Sequence, residues 1–408
     1  MKDLDILESL IKKGDSLLNR MEEGGRAPHQ TKTLTRLWNA KELADELGKG
    51  RDTIARAAAK LIEEGTMADF NSDQRHPTTK AVLGYTLNQV NALRRHYEIV
   101  AGRKDDLIDE PLILAVQSFK GGVAKTMTTV HAAQYMASKG YKVLVVDMDP
   151  QASLTNLFGY IADLHINEDD TILPFFMGHQ PDLKYAVRPT YWENLDLIPS
   201  NLVTNEVELQ LFFEVQGANS ADDSKALLFK KLRYGLDSVK QDYDVVMLDC
   251  PPALGLLTIN ILGTADAVVI PTPPSLLDFS STQQYLKMLR DTIQKVDGTK
   301  TYKFFKLLRT KVRNNIAAHS DFSAAMAAIY GDSVMPAIFP MLTEIDNAAM
   351  SFKTLLEDRR PDKKALAAIE GFCKQIELEC LKTWPSKAVD AAYLEKQLNS
   401  DKAEVERV

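Results

Sequence analysis

One segment limits the possible folds of this chain more than any other. Residues 112–116 are a run of five apolar residues, Leu-Ile-Leu-Ala-Val. A loop with paired glycines follows, Lys120-Gly121-Gly122-Val123-Ala124-Lys125-Thr126, and then a helix-like stretch to Ser138. A buried strand, a glycine loop and a helix in that order present backbone N–H groups and the positive end of a helix dipole to one point. That is what an anion such as a phosphate requires. Lys125 is placed to neutralise β- and γ-phosphates, and the Thr126 hydroxyl to ligate Mg²⁺. The strict pattern G-x-x-x-x-G-K-[ST] is not met, because Phe119 and Ala124 occupy its two glycine positions.

From about residue 110 the chain alternates apolar, β-branched runs with helical stretches. The runs fall at 112–116, 143–146, 195–198, 245–248, 267–270 and 304–308. Continuous apolar strands separated by helices predict a mostly parallel sheet covered on both faces. Ligands of such sheets sit at the carboxyl ends of the strands. Two runs end there in carboxylates: one in Asp147-Met148-Asp149-Pro150-Gln151, the other in Asp249-Cys250-Pro251-Pro252. Many buried strands end in Asp, so each motif is weak alone. Three segments in this order, each at a strand end, are specific.

Together these segments resemble the deviant Walker A motif, the D-x-D-P-Q switch and the Walker B strand of the ParA/MinD ATPase superfamily. The resemblance covers most of residues 1–360. The stretches 162–175 and 197–200 bring it nearest to the large, SopA-type ParA proteins. It implies a P-loop NTPase-like fold, ATP/ADP with Mg²⁺, and a homodimer. In that family Lys120 reaches the partner's ATP, and Lys125 binds the phosphates in cis. The loop Lys120, Gly121, Gly122, Val123, Ala124, Lys125, Thr126 and Met127 cradles the nucleotide. Asp149 orients the attacking water. Thr126, Asp249 and Asp147 serve the metal. Pro273 and Pro274 after the strand 267–270, with Thr310 and Lys311 after the next, are expected near the base. Ala124 stands where the family usually has Gly, a substitution that carries strain if φ is positive.

The N-terminal part reads as two further units. Residues 1–30 form an apolar-striped helix (Leu4, Leu7, Leu10, Ile11, Leu17, Leu18, Met21) ending at Gly24, Gly25 and Pro28, a possible dimerisation element. Residues 31–104 form a small helical unit. Within it, 40–59 has helix–turn–helix spacing: Ala44 allows close helix approach, Gly48 makes the turn and Ile54 anchors the second helix. Lys49, Arg51, Asp52, Thr53 and Arg56 would face the major groove. Residues 84–86 would add a wing, and Arg94, Arg95 and His96 phosphate contacts. The expected organisation is an N-terminal helix (1–30), a winged helix-turn-helix domain (31–104) and an ATPase domain with C-terminal helices (105–408). A second, non-specific DNA surface is expected from Arg309, Lys311, Arg313, Lys353, Arg359 and Arg360.

Charge agrees with local rather than global DNA attraction. Residues 1–104 hold 18 basic and 15 acidic residues, whereas the whole chain has a net charge of −7. No apolar run approaches the roughly 18 residues of a membrane span, and acidic residues interrupt 387–408 on most faces, which opposes a membrane-binding tail. Three scattered cysteines suit neither a disulfide framework nor a zinc site. The resemblance therefore implies a cytoplasmic, nucleoid-associated DNA-segregation ATPase. Its partners would be double-stranded DNA, operator DNA and a ParB-type centromere-binding protein, with repression of its own operon. Two other readings compete. A nucleotide-switched regulator without turnover would not need Lys120 and Asp149. A metal-carrier enzyme of the same superfamily would need cluster cysteines.

Overall fold

The computed structural model describes residues 2–23, 32–313 and 315–405; Gly24, Gly25, Pro28 and the side chains of Leu18 and Met21 lie outside what it describes. Its centre is an eight-stranded sheet: β1 (Leu112–Val116), β2 (Val143–Asp147), β3 (Arg188–Pro189), β4 (Leu195–Ile198), β5 (Val245–Asp249), β6 (Ala267–Thr272), β7 (Phe304–Val312) and β8 (Val334–Pro340). The spatial order is β3-β4-β2-β5-β1-β6-β7-β8. Only β3, a two-residue edge, runs antiparallel.

The apolar runs are continuous because both faces are covered. Leu112, Leu114, Val143, Val145, Val245 and Met247 face one layer. Ile113, Ala115, Leu144, Val146, Val246 and Leu248 face the other. The first layer holds α5 (Lys125–Lys139) and the helix Lys363–Leu381, and the second the helices Ala221–Asp237 and Leu256–Thr264. Such two-sided burial produces unbroken β-branched strands rather than alternating ones.

The expected six strands are present, and β3 and β8 join them. β8 contains Pro336 yet still pairs with β7, because a sheet edge needs no second set of donors. Its register with β7 shifts twice, and Lys311 adopts φ +55° at the second shift.

Before the sheet lie α1 (Lys2–Glu23), α2 (Ala40–Leu47), α3 (Arg51–Glu63) and α4 (Leu87–His96). On α1, Leu4, Leu7, Leu10, Ile11 and Leu17 are exposed. A capping box starts α2: Asn39 Oδ1 accepts from Lys41 and Glu42 N–H, and the Glu42 carboxylate accepts from Asn39 N–H at 2.8 Å. Gly48 ends α2 at φ +60°, where a side chain would be strained. After α3 the chain folds back as a hairpin joining Arg75 to Val82, and Trp38 bridges Tyr85 beside it.

This N-terminal unit is packed hard against the rest. Its core residues Leu43, Ile54 and Leu93 belong to the same apolar cluster as the first face of the sheet. The segment after α4 is also anchored. Arg103 N–H donates to Asp244 at 2.8 Å and its guanidinium to Tyr243 O at 3.1 Å.

Candidate functional site

Strand order brings the three sequence motifs together. β5 lies between β1 and β2, with Val116 opposite Asp249 and Asp249 opposite Asp147. The glycine loop and both carboxylate-ended strands thus emerge at adjacent carboxyl ends, the expected ligand position of an open α/β sheet.

The loop is held from beneath. Gln117 N–H donates to Val269 O at 3.0 Å, and the Thr310 hydroxyl to Val123 O at 2.9 Å. Gly122 (φ +71°) and Ala124 (φ +75°) both take the left-handed conformation, so Ala124 carries the strain its methyl group implies. Lys125 begins α5, is buried, and its ammonium donates to Lys120 O at 3.2 Å. Burial pushes the Lys125 pKa down, while Asp249, Cys250 and Asp149 push it back up. A phosphate would add a direct counter-charge to this buried cation. Lys120 is half-buried at the start of the loop.

A cavity of about 520 Å³ opens on the loop. One wall is Gly121, Gly122 and Ala124 to Met127; the others come from Asp149 and Gln151, from Ser153, Asn156 and Leu157 on or beside α6 (Ser153–Leu157), and from Pro252, Ala349 and Phe352. Asp149 is half-buried, and its carboxylate accepts from Gln151 N–H at 3.0 Å.

The two strand-end aspartates differ in how well they are satisfied. Asp147 accepts from Thr155 N–H (2.9 Å), Thr155 Oγ1 (2.7 Å) and Asp149 N–H (3.1 Å). Asp249 Oδ1 has a long contact from Thr129 Oγ1 at 3.4 Å, Thr126 lies near enough to favour its ionised form, and its Oδ2 is buried without a partner. Burial raises the pKa of both carboxyls; the Asp147 charge raises Asp249 further, and Thr126 and Lys125 oppose it in part. A buried carboxylate oxygen lacking a donor fits a cation or a cation-bound water. Mg²⁺ is commonly held by one or two carboxylates plus substrate phosphates. Asp249 and the Thr126 hydroxyl fit that role, with Asp147 behind them as support for Asp149 and α6. Among the described residues no cluster of three or more His, Cys, Asp or Glu forms a cage of its own.

Pro273, Pro274, Thr310 and Lys311 do not line this cavity. The buried Thr310 instead braces the loop.

The basic residues divide sharply. Lys49, Arg51, Thr53 and Arg56 are exposed on the turn and first half of α3, and Arg313 and Lys353 are exposed near the cavity side of the sheet. Two others are corrected from surface contacts to internal ties. Arg309 is buried and donates to Ser323 Oγ (2.8 Å) and Met335 O (3.0 Å). Arg94 is buried and binds Glu46, Asn91 and the Ser138 carbonyl. Burial pushes the Glu46 carboxyl up, but the Lys139 and Arg94 charges outweigh it and hold it below its ordinary value. Arg359 ties the hairpin through the Asp73 carbonyl.

The parallel sheet, the loop with a buried lysine and the paired strand-end aspartates define a P-loop NTPase of the deviant Walker A type. A family profile described as an AAA domain matches residues 112–303. SopA of Escherichia coli K12 is 32% identical over 358 residues, covering 85% of this chain and 89% of SopA. The chain belongs to the ParA/SopA-type partition ATPases. A solved partition protein shares the fold over 92% of this chain and 97% of its own, with a TM-score of 0.63 and 20% identity. The ATP complex of a Cyanothece McdA variant shares it over 66% of this chain and 97% of its own, with a TM-score of 0.55 and 20% identity. Among the described residues no helix is long and apolar enough to cross a membrane.

Proposed function

We propose that this chain is a Mg²⁺-dependent ATPase that segregates DNA, and that it works as a homodimer. The observation that carries the reading is the pairing of Asp249, with its unsatisfied buried oxygen, against Asp147 beside a loop whose lysine is itself buried. On this reading Lys125 and the loop amides hold the β- and γ-phosphates. Thr126 and Asp249 hold Mg²⁺, which withdraws charge from the γ-phosphate, and Asp149 orients the attacking water from the cavity wall. Lys120 of each protomer then stabilises charge at the partner's ATP, since no arginine reaches the cavity in cis among the described residues.

ATP binding closes the dimer, and the closed dimer coats non-specific double-stranded DNA through Arg313 and Lys353. A ParB-type centromere-binding protein then stimulates slow hydrolysis, which releases it. Residues 31–104 act as a winged helix-turn-helix domain: Lys49, Arg51, Thr53 and Arg56 contact operator DNA, and residues 84–86, which follow the 75–82 hairpin, belong to the wing. Residues 1–30 contribute to dimerisation, and 105–408 form the ATPase domain. The protein would work in the cytoplasm, on the nucleoid.

The test is steady-state ATP hydrolysis with and without Mg²⁺ and double-stranded DNA, for wild type and Lys120→Gln. Weak Mg²⁺-dependent turnover, raised by DNA and lost in the variant with binding retained, supports the reading. Turnover indifferent to DNA points to a different enzyme of the superfamily. Absent turnover points to a nucleotide-switched regulator.

A further inference from the structure

Behind the cavity lies a buried polar cluster that the reading above does not use. Its centre is Lys32, at the start of the described segment leading into α2, whose side chain is 11% exposed. The Lys32 ammonium donates to Leu157 O at 2.8 Å and to Phe352 O at 2.6 Å, pairs with Glu357 at 2.9 Å, and lies 4.7 Å from the centre of the Tyr191 ring. Leu157 and Phe352 both line the nucleotide cavity. One cation from the N-terminal unit therefore joins two parts of the cavity wall that are far apart in sequence.

Both parts need holding. Leu157 closes α6, whose N-cap Ala152 sits at φ +53° soon after Asp149. Phe352 itself sits at φ +51°, a costly conformation for a bulky residue that must be stabilised by its surroundings. The cluster also reaches α5. Gln134 donates to Glu357 at 3.3 Å, and Thr354 N–H donates to the same carboxylate at 3.1 Å. The phosphate-loop helix, the switch-side wall and the 349–352 wall thus meet at one ion pair.

We propose that Lys32 is a positioning residue of the nucleotide site: it sets the separation of the Leu157 and Phe352 walls, so nucleotide binding and docking of segment 32–38 support each other. The inference rests on the ATPase reading. It acts on affinity rather than on the chemical step, because Lys32 touches wall carbonyls and not the loop or Asp149.

The test uses the full chain and a fluorescent ATP analogue with Mg²⁺. Lys32→Met should weaken analogue binding and raise KM by about tenfold, the scale of a lost charged hydrogen bond, with kcat within about twofold of wild type. It also strands the Glu357 charge and lowers Tm. Lys32→Met combined with Glu357→Gln removes that stranded charge and should recover Tm, but it does not restore the carbonyl ties, so KM should stay raised. Lys32→Arg should recover part of the affinity. A double variant whose affinity returns with its Tm would reduce Lys32 to a stability element and overturn the proposal. If that variant fails to fold, amide exchange on wild type decides. Saturating analogue should slow exchange in 32–38 and 354–357, and unchanged exchange there would overturn the proposal. A wild type that binds no adenine nucleotide would instead remove the ATPase reading itself.

Discussion

The Thr310 hydroxyl, at the end of β7, donates a 2.9 Å hydrogen bond to the carbonyl of Val123 in the phosphate loop. Both residues are buried, so no water can take the place of either partner. Thr310→Val keeps the shape and leaves the Val123 carbonyl unpaired, which should cost about 1–2 kcal/mol. Nucleotide affinity should fall several-fold with it, and Thr310→Ser should restore most of both. Thermal unfolding and titration with a fluorescent ATP analogue measure the two effects.

Asp249 makes a separable prediction about the metal. In wild type, Mg²⁺ added with nucleotide should raise Tm beyond nucleotide alone, and EDTA should remove that increment. Asp249→Asn should lose the increment. Without ligands at pH 8 the same variant should be more stable than wild type, because it removes one of two facing buried carboxylates whose pKa values are both raised. Equal Mg²⁺ increments in both proteins would exclude Asp249 as a metal-holding group.

His131 predicts an acid limb of stability. It is fully buried on α5, its Nδ1–H donates to Met127 O at 2.7 Å, and its Nε2 has no partner. Phe339 and Phe372 pack around the ring. Burial pushes its pKa down to about 4. The folded state keeps the ring neutral while the unfolded chain takes up a proton below about pH 6.5. Stability is therefore lost as pH falls from 6.5 towards 4, by about 2 kcal/mol at pH 5. His131→Leu should flatten that limb in urea unfolding at pH 7 and pH 5. An unchanged slope would mean that other groups carry it.

The arginines of the N-terminal unit should separate by function. Arg56→Ala, on the exposed face of α3, should lower DNA affinity and reduce the salt dependence of binding by about one ion. Arg94→Met should lower stability by about 2–3 kcal/mol, because it leaves the half-buried Glu46 carboxylate with Lys139 alone. Its salt slope should stay at the wild-type value. Filter binding across a salt series, with Tm measured alongside, distinguishes the two.

The segments of the candidate nucleotide site were legible because each is local. A loop, a strand end and a helix start are contiguous in sequence, and buried parallel strands advertise themselves as unbroken apolar runs. Ties between distant segments leave no such trace. Arg94 stands beside Arg95 and reads as part of a basic patch; only the fold shows Glu46 and Ser138 closing on it. Arg309 misleads in the same way, since its acceptors are mainly backbone carbonyls, which any sequence supplies. Lys32 carries no motif that marks it, and its partners lie 125 and 320 residues away. β8 was obscured by Pro336, a residue that argues against a strand except at an edge. Ala124 lies between these cases: the sequence marks a departure from glycine, and the backbone shows the positive φ that makes it matter.

α5 spans 15 residues, about 22 Å at helical rise. Its first residue is the phosphate-loop lysine, and at its far end Ser138 and Lys139 grip Arg94 and Glu46 of the N-terminal unit. That unit is consequently not an interchangeable cassette on a tether. A foreign domain spliced in front of residue 105 would arrive without the carboxylate and guanidinium that seat it, so the two units must change together or not at all.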